Sequence, residues 1–123
     1  MIKKIDIGHE HVLAFRVEGE LDEHDMKESQ RVIKPRLESG APFSLYIEMA
    51  ASEGVQPAAI VERLRFIFSN FEEVLKKVGK VAIVTDKSWL QHLATGAFAL
   101  VPPIEQRSFT FEEAETARKW VSV

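Results

Sequence analysis

The sequence predicts a single α/β domain: a mostly parallel, five-stranded sheet with right-handed βα crossovers, in the order ββαβαβαβα. Three observations carry this. From Phe43 onward, short apolar runs alternate with longer segments of helical periodicity, the pattern of successive βα units. The run Val81 to Val84 is apolar without a break, as in a strand covered on both faces in the middle of a parallel sheet. Ahead of these, two strand-like runs enclose the turn Gly8-His9-Glu10, so the sheet begins with a hairpin. The 123 residues suffice for one domain, residues 1–123, with a sizeable core. No linker, repeat or low-complexity segment divides them.

Ile2 to Ile7 and His11 to Val17 are the hairpin strands. In the second, Val12, Ala14 and Arg16 alternate with Leu13, Phe15 and Val17; both faces are largely apolar, which predicts an interior strand. Asp22 is placed to cap the first helix, with Asp25 completing a capping box. Met26, Ile33 and Leu37 fall within ~40° of one another on a helical wheel and face the core. Pro35 predicts a kink or a second short turn, and Gly40 the end of the helix. Phe43 to Met49 is the third strand. Pro57 to Val78 is the longest helix, with proline in its first turn. Its apolar stripe is Ile60, Leu64, Ile67, Phe71, Val74, Leu75 and Val78, and Gly79 closes it. Val81 to Val84 is the fourth strand, and Ser88 to Val101 a helix stopped by Pro102-Pro103. Glu105 to Phe111 is the fifth strand. Glu112 to Val121 is the last helix, with Ala114, Ala117 and Val121 inward.

Composition removes several classes of function. The net charge of −3 gives no basic footprint, so nucleic acid is not an expected partner. No apolar run approaches the ~20 residues that span a bilayer. The opening MIKKIDIGHEH has no apolar core of a secretory signal, and cytoplasmic placement is expected. The absence of cysteine excludes disulfides, zinc–thiolate sites and thiol catalysis. GxSxG, Walker and GxGxxG motifs are all missing, so nucleophilic catalysis has no visible triad and no cofactor is expected.

Three stretches resemble one family. KVAIVTDKSWL (Lys80 to Leu90) is similar to the strand and turn of the SpoIIAA-like family, small relatives of the STAS fold. GELDEHDM, ahead of the first helix, and the ending RSFTFEEAETARKW resemble the corresponding segments of the same family. In this order and spacing they cover nearly the whole chain. The resemblance implies a STAS-type βα superhelix, reminiscent also of lipid-carrying CRAL-TRIO domains, with no established catalytic activity. STAS anti-anti-sigma factors carry a phosphorylated serine in a D-S-[ST]-G pattern at the start of the helix after the third strand. Here that region reads EMAASEGVQP, with no Asp-Ser pair. Ser52 stands beside Glu53, whose charge opposes an added phosphate. The stretch reads as a turn in which Gly54 permits positive φ, with Ser52 exposed and unphosphorylated.

Among polar groups, His9 and His11 flank Glu10, but only one carboxylate lies near them, and His24 and His92 sit in distant segments. They read as exposed turn histidines, and no metal site is expected. Glu18, Glu20, Glu48, Glu53 and Asp86 fall near carboxyl ends of predicted parallel strands, where α/β folds place ligand crevices. Carboxylates brought together there acquire split pKa values suited to acid–base work, although Asp86 reads first as the cap of the following helix. No catalytic residue is assigned.

The aromatics point to a binding function. Phe68 lies ~80° and Phe66 ~120° off the stripe of the long helix, and Phe66 is not expected to share the core of Ile60 and Phe71. In the next helix Trp89 and Phe98 flank the face formed by Leu90, Leu93, Ala97 and Val101. Gly96 within that helix and the Pro102-Pro103 stop suggest that the two helices open and close over an apolar space. Surplus aromatics on neighbouring helices signal a partner, a ligand cleft or a dimer, with unusually wide core packing as the equal alternative. The reading is a non-enzymatic module that binds a small apolar or amphipathic, lipid-like ligand. Phe66, Phe68, Trp89, Leu93, Ala97 and Phe98 supply apolar contact, and Asp86, Lys87 and Ser88 meet a polar end. Weak peripheral membrane contact through the same surface belongs to this reading. The alternative is a STAS-type regulatory module that engages a protein partner or a second copy of itself; a carboxylate acid–base enzyme ranks third.

Overall fold

The computed structural model describes residues 1–98 and 104–123, and among these the side chains of all but 50–53, 93, 94 and 96–98. The elements in chain order are β1 (Ile2–Ile5), β2 (Val12–Leu21), α1 (Glu23–Glu38), β3 (Phe43–Val55), α2 (Pro57–Ser69), α3 (Phe71–Lys77), β4 (Val78–Val84), α4 (Ser88–Phe98), β5 (Glu105–Phe109), a 3₁₀ turn (Phe111–Glu113) and α5 (Ala114–Ser122). The five strands form one sheet in the spatial order β1-β2-β3-β4-β5. β1 and β2 are antiparallel, and the remaining pairs are parallel.

A sheet that grows in one direction through crossovers of one hand stacks all its crossover helices on one face. That face carries Leu13, Phe15, Leu45, Val81 and Ile83, packed against Ile33 and Leu37 of α1 and Val74 of α3. Phe66 and Ile67 of α2 join the same cluster. Alternate residues of the same strands, Val12, Ala14, Tyr46, Ala82 and Val84, face the other way. There they meet Ala117 and Val121 of α5, with Phe109, Ala114 and Trp120. The rings of Phe109 and Trp120 lie 5.8 Å apart, closing the C-terminal end of the fold.

Local chemistry sets several boundaries as expected. β2 is an interior strand, flanked by β1 and β3. Asp22 accepts a hydrogen bond from the Asp25 amide and donates its own to the Asp25 carboxylate, a complete capping box. α1 continues past Pro35 to Glu38, and Gly40 follows with φ +88°, the left-handed turn that lets the chain leave the helix.

Elsewhere the structure departs from the periodicity. The helix predicted over Pro57 to Val78 is two helices, broken at Asn70. Asn70 is buried; its Nδ2 donates to the Phe66 carbonyl at 2.9 Å and its Oδ1 accepts from Lys34 Nζ at 2.6 Å. These bonds give the buried break polar partners and tie it to α1. With the helix interrupted at Asn70, Phe71 opens α3 and turns to solvent although the predicted stripe included it, while Phe66, placed off that stripe, packs partly buried against the core cluster. Val78 and Gly79 open β4 rather than ending a helix.

β2 and β3 both outrun their predicted ends at Val17 and Met49. The small-residue stretch read as a turn is part of β3, with Ser52 opposite Gly19 and Val55 opposite Leu21. Two register shifts each insert one extra residue into β3, and Gly19 (φ +69°) and Gly54 (φ +148°) lie beside the second. The expected exposure of Ser52 falls on a side chain outside those described. So do the expectations for Gly96, and Pro102-Pro103 lies outside the described residues.

Candidate functional site

Two places combine unusual chemistry with geometry. The first is a cavity of about 460 Å3 between the helical face of the sheet and the helices above it. Its floor is Val17, Leu45, Ile47, Met49, Val81 and Ile83; its roof includes Ile60, Leu64, Phe66 and Ile67 of α2, with Leu90 and His92 of α4 at one end. An engineered apolar cavity of ~150 Å3 already stays dry and takes up benzene, so this volume is large for unfilled packing space. It falls in the ~300–1,000 Å3 range of small-molecule pockets. Among the described residues one charged side chain reaches its wall, that of Arg63 on α2.

The second place is on the opposite face, at the edge of the cover that α5 provides. Glu48 is buried on β3 and receives three side chains. Arg16 Nε of β2 donates to its Oε2 at 2.9 Å. Tyr46 Oη and an Nη of Arg118 from α5 donate to its Oε1 at 2.7 and 3.2 Å. Arg118 also lies over the Tyr46 ring, 5.6 Å from its centre. Burial alone would raise the Glu48 pKa, but the bonds from Tyr46, Arg16 and Arg118 outweigh it and hold the carboxyl below its ordinary value. The Tyr46 phenol is pushed up to about 12, by burial and by its bond to Glu48.

Glu20, Glu48 and Asp86 do not share a network. Glu20 accepts from Gln56 Nε2 at 2.7 Å, while Asp86 accepts from the Phe111 amide at 3.0 Å. Asp86 thus anchors the 3₁₀ turn after β5, whereas the first amide bonds of α4 go to the Lys87 carbonyl. His11 Nε2 donates to the Ser122 carbonyl at 2.7 Å and its ring meets His9 edge-on. Among the described residues no group of three or more His, Cys, Asp or Glu converges as metal ligands.

Of the residues expected to bind a ligand, Phe66 lines the cavity. Phe68, Asp86, Lys87, Ser88 and Trp89 are exposed and do not line it. Leu93, Ala97 and Phe98 have side chains outside those described. Arg63 escaped the sequence reading, though its position carried a signal. It lies three residues after Ile60 and four before Ile67, so it is a charge at an inward position of an amphipathic helix. Outside the cavity, α2 presents Val61 and Phe68 to solvent, 53% and 60% exposed. The Phe68 ring stacks on that of Phe71, with centres 6.4 Å apart.

The family model for SpoIIAA-like proteins matches residues 12–122. The chain belongs to the SpoIIAA-like family. No curated protein sequence matches it. Among solved structures, an uncharacterised protein of Shewanella loihica PV-4 with a SpoIIAA-like fold is similar at TM-score 0.71 and 19% identity, over 98% of this chain and 92% of that one. An anti-sigma factor antagonist from Mycobacterium paratuberculosis is similar at TM-score 0.53 and 18% identity, over 97% and 95%. At these identities the likeness is one of fold. Among the described residues of this SpoIIAA-like chain, no helix is long and apolar enough to cross a membrane.

Proposed function

We propose that this SpoIIAA-like chain is a non-catalytic regulatory module that binds a protein partner through the outer surface of α2 and the start of α4. The observation that carries this is the exposed aromatic set: Phe68 stacked on Phe71, Val61 one face-repeat earlier, and Trp89, 47% exposed, opening α4. Large apolar side chains left in water are what a partner covers, and aromatics dominate the energetics of such contacts. The fold shared with an anti-sigma factor antagonist supports a regulatory role. The non-catalytic part is supported by the separate engagement of Glu20, Glu48 and Asp86. No D-S-[ST]-G motif accompanies β3, so regulation here does not rest on phosphorylation of Ser52. To test it, tagged wild type and a Phe68→Ser/Trp89→Ser double variant are purified from the native host and compared by quantitative mass spectrometry. One stoichiometric partner, lost from the variant, is expected; equal recovery of every protein by both would overturn the assignment.

A second reading, an apolar or amphipathic ligand, is favoured by the 460 Å3 cavity. α2 serves both readings, because its inner face roofs the cavity and its outer face carries Phe68. The exposed rings are also those a weak peripheral membrane contact would use, with no electrostatic help from a net charge of −3.

A further inference from the structure

Arg63 is held at the cavity wall by contacts that do not neutralise it. One Nη donates to Ser29 Oγ at 2.7 Å and approaches Met26 Sδ at 3.3 Å, both on α1. Its Nε is buried and has no hydrogen-bond partner, and among the described residues Arg63 makes no ion pair. Glu62, the acid next to it on α2, is engaged elsewhere, accepting from Gln30 and Arg65. Burial lowers the Arg63 pKa to about 10, which still leaves it a cation at neutral pH. A thioether and a hydroxyl satisfy donors but bring no opposite charge, and Arg63 is partly withdrawn from water, where an unpaired charge is costly.

A wall of apolar side chains with one unpaired guanidinium has a definite complement: an apolar body ending in a single negative charge. We infer that the cavity binds an amphiphilic carboxylate, a fatty-acid-like anion whose head pairs with the Arg63 guanidinium and whose chain lies along Leu64, Ile67 and Ile47. This rests on the reading that the cavity takes a ligand. A carboxylate suits the site better than a dianionic phosphate, because among the described residues Arg63 is the one lysine or arginine on the wall; His92, at the α4 end, also lines it. Guanidinium also pairs with carboxylate through charge-assisted bonds, about twice as strong as neutral ones.

Decanoate and 1-decanol are titrated separately into the full chain, labelled at isoleucine and leucine methyls, and followed by NMR at pH 7. Arg63→Met, which keeps the side chain's length and removes its charge, is titrated in parallel. Wild type is expected to shift the Leu64 and Ile67 methyls with both probes and to prefer decanoate by roughly tenfold or more, as a charged hydrogen bond warrants. Arg63→Met is expected to bind decanol as before and to lose the preference. Equal affinity of wild type for both probes, or a preference that survives in Arg63→Met, overturns the carboxylate assignment while leaving an apolar ligand in place. If neither probe moves the cavity methyls, the cavity is not a ligand site and the inference falls with that reading. Should Arg63→Met fail to fold, the wild-type comparison of the two probes decides the matter alone.

Discussion

Glu48 draws together side chains from β2, β3 and α5, and its protonation state sets how much they contribute. Its lowered pKa means that its stabilisation is complete above the unfolded-state value and fades as pH falls through the folded one. Glu48→Gln should therefore cost about 1–3 kcal/mol at pH 7, the scale of hydrogen bonds to a charged group. Arg16 and Arg118 are half-exposed and can rehydrate, which keeps the loss below that of a fully buried pair. Urea unfolding from pH 7 to pH 3 should show the difference shrinking once pH falls below the ordinary carboxylate value, as wild type approaches protonation of the same group. Tyr46 offers an independent check because it is the chain's one tyrosine. Ultraviolet titration should place its ionisation near 12, and Glu48→Gln should bring it down. A midpoint at the ordinary value in wild type would show that the phenol does not donate to Glu48.

At the scale of elements, Asn70 decides where α2 gives way to α3. Asn70→Ala removes the acceptor of Lys34 Nζ and the donor to the Phe66 carbonyl, inside a buried junction. A loss of about 1–2 kcal/mol is expected, read by thermal or urea unfolding. This junction was not legible in the sequence, because apolar residues on both sides continue at helical spacing and the interruption comes from side-chain hydrogen bonds. The end of β3 was hidden for the opposite reason. Ala50, Ala51, Ser52 and Gly54 have little strand preference, yet pairing with β2 across Gly19 and Leu21 draws them into the sheet. What the sequence did show were the elements whose signals are local: the Asp22 box, the apolar β4 and the inward face of α5. The Asp86 reading was half legible, since a capping carboxylate was expected and its partner, the Phe111 amide, comes from 25 residues away.

Over the whole molecule, the cavity exists only once four helices and the sheet are assembled, so no segment announces it. Phe66 could be named as a lining residue for its type, and Arg63 could not, because its meaning depends on the acids that fail to reach it. The cavity also carries a stability prediction. Leu64→Phe adds apolar volume at its roof and should stabilise the fold by about 0.5–2 kcal/mol, the range of cavity-filling changes. The same change should weaken decanoate binding in the methyl-NMR titration. A destabilised variant would mean that the roof is already packed to its limit.

The spatial order of the sheet leaves β1 and β5 as its outermost strands. β1 has four residues and carries Lys3 and Lys4; β5 has five and carries Glu105 and Arg107. Short, charged borders of this kind resist strand addition by another chain, since each new ladder would be brief and would lie against charged side chains. Self-association or capture of an extended peptide through the sheet is thereby discouraged at both ends. What the chain leaves open to contact is therefore its helical surface, where Phe68 and Trp89 stand exposed.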